Sequence, residues 1–252
     1  MIDGMVSWLG PLLIIGGAVL LAAFTLAVRR GFEPSLRPID GYKALPQQVA
    51  RVVESGGRMH VSLGPNGLSG QDAGATLAGL AMLDVTVGAA AIADHPPLAS
   101  TSDATTVWVM SDIVRHAYEE KGIADRLPAQ NGFLVALDST ALAGGLTSLV
   151  PDMDVQANVL FGSFGAETAL IAEAGSRVGI PQTVGSDQLE AQAAGYTLAD
   201  HVLIGEEMFA ARGYLEERAS AQGGLLVQDV LRWAIIGLIV AGAALQTLGL
   251  LG

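Results

Sequence analysis

Residues 156–207, QANVLFGSFGAETALIAEAGSRVGIPQTVGSDQLEAQAAGYTLADHVLIGEE, decide the fold. Three short apolar runs, 156–161, 182–184 and 201–204, have the length of buried strands. Each passes through a turn of Gly, Ser, Asp or Glu into a helical pattern, at 166–178, 188–198 and 206–221. Gly179 and Pro181 close the first of these helices, as residues that stop a helix do. Parallel neighbours need a crossover of about a dozen residues or more, and this spacing supplies it.

The alternation continues towards the N-terminus, with strands expected at 59–63, 98–101 and 132–137 and helices at 71–93, 104–121 and 140–149. The segment DVTV at 84–87 is open to a second reading as a separate strand. Before the first strand, Pro34, Pro38 and Pro46 mark a semi-rigid spacer with a short helix expected at 47–54. The fold class read from this pattern is α/β: a Rossmann-like, doubly wound, mostly parallel sheet.

Further outward the chain becomes apolar at both ends. No charged residue occurs between Gly4 and Val28, and the run 8–28 is 21 residues long. As a helix it extends about 30 Å, the thickness of a bilayer's hydrocarbon core. A second uncharged run of 20 residues occupies 233–252. Both read as transmembrane helices. The organisation expected is therefore a tail and first span at 1–30, a juxtamembrane linker with its short helix at 31–57, a cytoplasmic α/β domain at 58–226 and a second span at 227–252. Arg29 and Arg30 follow the first apolar run instead of preceding it, which favours an anchor over a cleaved signal peptide. With Arg37 and Lys43 after span one and Arg232 before span two, the positive-inside rule puts the chain in the inner (cytoplasmic) membrane, both termini outside and residues 31–226 in the cytoplasm. Gly17, Ala18 and Ala22 in one span and Ala234, Gly237 and Ala241 in the other permit close helix contact, and neither uncharged run, 8–28 or 233–252, holds an ionisable group for an ion path.

Composition narrows the chemistry. The 252 residues are 51% hydrophobic and 15% charged, with mean hydropathy +0.47 and no cysteine. This excludes a disulfide framework, thiolate-bound zinc, iron–sulfur clusters and cysteine nucleophiles. The net charge is −12, and the segment 31–226 alone carries −13. Such acidity argues against nucleic acid as a partner.

In an open parallel sheet, ligands bind beyond the carboxyl ends of the strands. The turns expected there supply the candidate ligand-binding residues: Asn66, Gly67, Ser69 and Gly70; Ser102 and Asp103; Asp138 and Ser139; Gly162, Ser163, Gly165 and Glu167; Ser186 and Asp187; and Glu206, beside Glu207. The same residue types cap helix N-termini with no ligand present, and capping alone is the simpler reading. Neither a P-loop nor a strict G-x-G-x-x-G occurs, and the acidic edge suits a neutral or cationic ligand or a carboxylate-held divalent metal better than phosphate. No cofactor and no metal set can be assigned, and no catalytic residues are nominated. His60, His95, His116 and His201 are scattered, none with a metal-binding partner at i+4, and no G-x-S-x-G elbow occurs. His60 and His201 read as satisfied sheet-end residues, Trp108 and Met110 as core, and the strings at 119–121 and 216–218 as solvated helix faces.

The glycine pair before HVSLG, the turn STSD, and the strings FGSFGAETALIAEA, VGSDQLEAQAAGY and ADHVLIGEEMFAARGYL together resemble an uncharacterised family of Chloroflexi-like bacteria, a domain of unknown function flanked by membrane helices. The resemblance covers about residues 30–250. It implies an anchored α/β domain and carries no activity, cofactor or site residue. The function expected first is a membrane-anchored scaffold or assembly protein that self-associates or docks a protein partner. A small-molecule or metal-ion sensing module using the strand-end turns comes second. A hydrolase or transferase using Asp138, Glu167 or Asp187 as acid or base comes last.

Overall fold

A computed structural model of the chain describes residues 2–216 and 218–248. It contains two compact units: Pro38–Ala211, and the two terminal segments up to Arg37 and from Arg212.

The first unit is built on a six-stranded, wholly parallel sheet of β1 (Arg58–Ser62), β2 (Leu98–Thr101), β3 (Phe133–Leu134), β4 (Val155–Phe161), β5 (Gln182–Ser186) and β6 (His201–Ile204) in the order β3-β2-β1-β4-β5-β6. The order runs outward from β1 one way and from β4 the other, so the connections reverse between these two strands. Helices α2 (Asp40–Ser55), α3 (Ala73–Ala90) and α4 (Ala104–Glu120) pack side by side, and α5 (Ser139–Asp152), α6 (Thr168–Arg177) and α7 (Leu189–Leu198) form a second row. Right-handed crossovers on either side of the reversal put these rows on opposite faces of the sheet. Under the second row, Leu142, Leu146, Leu160, Phe164, Ile171 and Val184 form one fully buried cluster.

A polar row crosses this otherwise apolar sheet. The His60 ring donates from Nδ1 to Asn158 Oδ1 at 2.7 Å and accepts at Nε2 from the Ser100 hydroxyl at 2.8 Å, Asn158 Nδ2 donates to Gln182 Oε1 at 3.1 Å, and Gln182 Nε2 donates to the Ala172 carbonyl at 2.7 Å. All four side chains are buried. A slip of one residue in any strand would turn its partner to the other face and leave these groups unsatisfied, so the row pins the register. Burial lowers the His60 pKa to about 4 against the opposing effect of its bond to Asn158, so the ring is neutral at physiological pH.

Several elements differ from the sequence reading for identifiable reasons. α2 starts at Asp40, well before 47, and keeps Pro46 inside it because Tyr42 and Leu45 bury against the sheet, with the Tyr42 hydroxyl donating to the Glu207 carbonyl at 2.6 Å. DVTV at 84–87 lies inside α3, whose helix is apolar nearly all round because it sits in the core. The strand expected at 132–137 shrinks to two residues at the sheet edge, where only β2 offers partners. The helix expected at 206–221 is broken into a 3₁₀ turn (Gly205–Ala210), α8 (Ala211–Leu215) and the start of α9 (Ala219–Thr247). Its first part buries Met208 and Ala210 in the α/β unit while its last part belongs to the other unit. Met110 is core, but Trp108 is 79% exposed, because α4 turns only one flank to the sheet. Glu119–Lys121 is solvated as expected. Glu216 is not: its side chain is 14% exposed, with Arg218 at 3.0 Å and Arg212 at 3.7 Å, while Glu217 lies outside the described residues.

The second unit is a pair of long helices, α1 (Ile2–Arg29) and α9. Residues Gly10–Arg29 of α1 and the whole of α9 are long and apolar enough to cross a membrane; residues 249–252 of the expected second span lie outside the described residues. The helices come into close contact where Gly223 abuts Thr25: a Cβ at Gly223 would stand 2.9 Å from the Thr25 backbone nitrogen. Beyond Thr25, α1 has only four residues left, yet partial cover on α9 continues to Gly242 and to Leu245, which is 40% exposed against 73% for Leu238. The two helices therefore run antiparallel.

Candidate functional site

At the reversal between β1 and β4, the chain leaves both strands through glycine. Gly64 has φ +83°, a conformation open to glycine at no steric cost, and this turns the loop across Phe164. A Cβ at Gly162 would lie 2.1 Å from the Leu63 carbonyl oxygen, so only glycine lets the two loops pass. The Asn66 amide then ties the loops together, donating to Asp72 Oδ2 at 3.0 Å and to the Ser163 carbonyl at 3.4 Å.

Above these loops lies a cleft of about 660 Å³. Of the residues nominated from sequence, the fold brings Asn66, Ser163, Gly165 and Glu167 from the reversal together with Asp138 and Ser139 from the turn before α5. The cleft has three carboxylates, Asp72, Asp138 and Glu167, and no Lys, Arg or His in its lining. Its remaining groups are amides and hydroxyls, apart from Pro65 and the exposed Leu137 on the rim. Such a lining offers acceptors and negative potential to a neutral or cationic ligand and little to an anion.

Two of the carboxylates already hold backbone. Asp138 caps α5, accepting from Thr140 N at 2.9 Å and Ala141 N at 3.2 Å, and Glu167 Oε1 accepts from Gly165 N at 2.8 Å. Each retains lone pairs that face the cleft or solvent. The carboxylates do not converge: among the described residues no three His, Asp or Glu side chains are placed to hold a metal ion.

The other nominated residues are placed elsewhere. Asp103 caps α4, accepting from Thr106 N at 2.7 Å and from the Thr105 and Thr106 hydroxyls, and Gly67 packs directly against it. Partial burial raises the Asp103 pKa, but these hydrogen bonds outweigh that effect and hold the carboxyl below its ordinary value. Ser102 is buried beneath the same turn, its hydroxyl without a partner. Ser186 is buried and staples the Phe164 loop, accepting from Phe164 N and donating to the Phe164 carbonyl. Ser69, Gly70, Asp187 and Glu206 are exposed outside the cleft lining. Sequence reasoning missed Gln71, Asp72 and Gln188. Each stands at or just before the start of a helix that faces the cleft, α3 or α7; the expected helices begin at 71 and 188, so their first residues, and not only the turns before them, were the available signal.

A family model described as a domain of unknown function (DUF6754) matches residues 5–251, nearly the whole chain. No curated protein and no solved structure matches.

Proposed function

The chain belongs to that family of unknown function, and on this premise we propose that it is a membrane-anchored assembly protein. In this reading α1 and α9 cross the inner membrane with both termini outside, and a cytoplasmic, Rossmann-like domain between them self-associates or docks a protein partner. The strand order β3-β2-β1-β4-β5-β6 is that of the doubly wound dinucleotide-binding folds, which supports the name for the architecture and says nothing of a nucleotide. The observation that carries the reading is the apolar surface of the helix pair. Leu12, Leu13, Ile14 and Ile15 on α1 and Leu238, Ile239 and Val240 on α9 are each 61–73% exposed, a contiguous apolar area that water does not tolerate and lipid does.

Two measurements test it. The full chain should remain in membranes washed with alkaline carbonate, and release into the supernatant would end the anchored reading. Because the chain has no cysteine, a single His95→Cys substitution gives a unique label site on the exposed side of the α/β unit. It should react with an impermeant thiol reagent only after the inner membrane is opened; labelling of intact spheroplasts would reverse the topology.

The cleft supports a second reading, a binding module for a neutral or cationic small molecule, because its lining pairs three carboxylates with amides and hydroxyls. Polyamines and nucleosides added to the full chain in mild detergent should raise its melting temperature by about 2 °C or more if one of these classes fits. A flat response to both, unchanged by Asp138→Asn, would leave the turns as caps alone.

A further inference from the structure

The stagger of the two apolar helices puts an ion pair where the sequence places none. Thr25 stands four residues before the end of α1, and Gly223 four residues after the start of α9, so the two helix ends are level. From Gly223, Asp229 lies about 9 Å and Arg232 about 14 Å further along α9 at 1.5 Å per residue. Those heights match Val19 and Gly16 on the antiparallel α1, and Gly16 is the centre of the uncharged stretch from Gly4 to Val28. If α1 spans the bilayer, as proposed above, this part of α9 lies at its mid-depth.

Asp229 and Arg232 pair with each other, Arg232 Nη1 to Asp229 Oδ1 at 3.4 Å, with side chains 56% and 47% exposed. Gln228, one residue earlier, is exposed as well. At 100° per residue these three positions fall within about 60° of the point opposite Gly223, so the polar face looks away from α1. A half-exposed ion pair in hydrocarbon is costly, and such groups normally face protein or water. The face is also self-complementary. A second α9 related by a two-fold axis along the membrane normal brings Arg232 of each copy within a helical turn of Asp229 of the other.

We infer that the Gln228–Asp229–Arg232 face of α9 is the contact through which two copies of this chain associate in the membrane, each arginine shared between its own aspartate and its partner's. The inference rests on the anchored reading and names the partner that reading leaves open.

Two differently tagged full-length chains, reconstituted in vesicles of neutral lipid, test it by energy transfer between labels. Asp229→Arg makes the face wholly basic and Arg232→Asp makes it wholly acidic. Each variant alone should lose self-association by roughly ten-fold or more, and the two mixed should recover to within about three-fold of the unaltered chain. Recovery in the mixture also shows that both variants insert and fold. The proposal is overturned if either variant associates with itself as the unaltered chain does, or if the mixture stays apart. Carbonate release of the unaltered chain would instead remove the anchored reading, so the two failures are distinguishable.

Discussion

Helices α3 and α9 are both long, uncommonly apolar and poor in charge, yet ten of the 18 residues of α3 are buried within its unit and, among the described residues of α9, only Gly223. By length and composition either could cross a membrane. What separates them is their surroundings. α3 is pressed against β1 and β4 and flanked by α2 and α4, so its apolar surface is consumed by the core. α9 has one neighbour of comparable length, α1, and a pair of helices can cover only one stripe of each. Hydropathy thus measures how much surface must leave water and is silent on whether protein or lipid receives it.

The largest way to break this comparison is to add bulk at one glycine in each helix. A Cβ at Gly79 of α3 would lie 2.4 Å from the Phe161 carbonyl oxygen, whereas a Cβ at Gly237 of α9 meets nothing within 4 Å. Gly79→Leu should cost about 3 kcal/mol or more and abolish cooperative melting of the α/β unit. Gly237→Leu should change the melting of that unit by less than about 0.5 kcal/mol in detergent. Equal effects would mean that α9 too is enclosed by protein.

A second difference lies in how the α/β unit handles polar groups, which it buries in the row around His60. The folded-state pKa of His60, about 4, is below its ordinary 6.5, so the unfolded chain binds the extra proton first as pH falls. The associated stability is complete above about pH 6.5 and is lost progressively down to about pH 4, a change of roughly 3 kcal/mol. Urea melts of the full chain in detergent across that interval should show the loss, and His60→Gln should flatten it. A profile unchanged by the substitution would assign the acid sensitivity to another group.

The smallest expected effect concerns the cleft. Asp138→Ala removes two backbone hydrogen bonds at the start of α5 and should cost about 1 kcal/mol, with Asp138→Ser recovering most of it. If the alanine variant is as stable as the unaltered chain, capping is not what the carboxylate is for, and the ligand reading of the cleft gains.

Much of the α/β unit was legible because its signals are local. Gly179 and Pro181 end α6 where expected, and Asp103 and Asp138 cap α4 and α5 because a carboxylate next to free amides acts within a few residues. The site was legible only in outline. That Asn66, Asp138 and Glu167 would share a cleft while Asp103 and Asp187 would not depends on which strand lies beside which. Ser186 offered the same turn chemistry as Ser139, yet it was drawn inward to hold Phe164. The placing of Asp72 and Gln188 in the cleft lining likewise depended on how α3 and α7 approach the sheet.

By itself, the sequence determined the alternation of strands and helices, the acidic charge of the segment between two uncharged ends, and the chemistry that a chain without cysteine gives up. Each of these follows from residues near one another in the chain or from composition alone. The tertiary structure decided the strand order, the enclosure of α3, the break before α9 and the stagger that brings Asp229 and Arg232 level with Val19 and Gly16. These rest on contacts such as Gly162 with Leu63 and Gly223 with Thr25, between segments about a hundred to two hundred residues apart. A periodic pattern states which face of a helix or strand is apolar, but only packing states what that face meets and at what height.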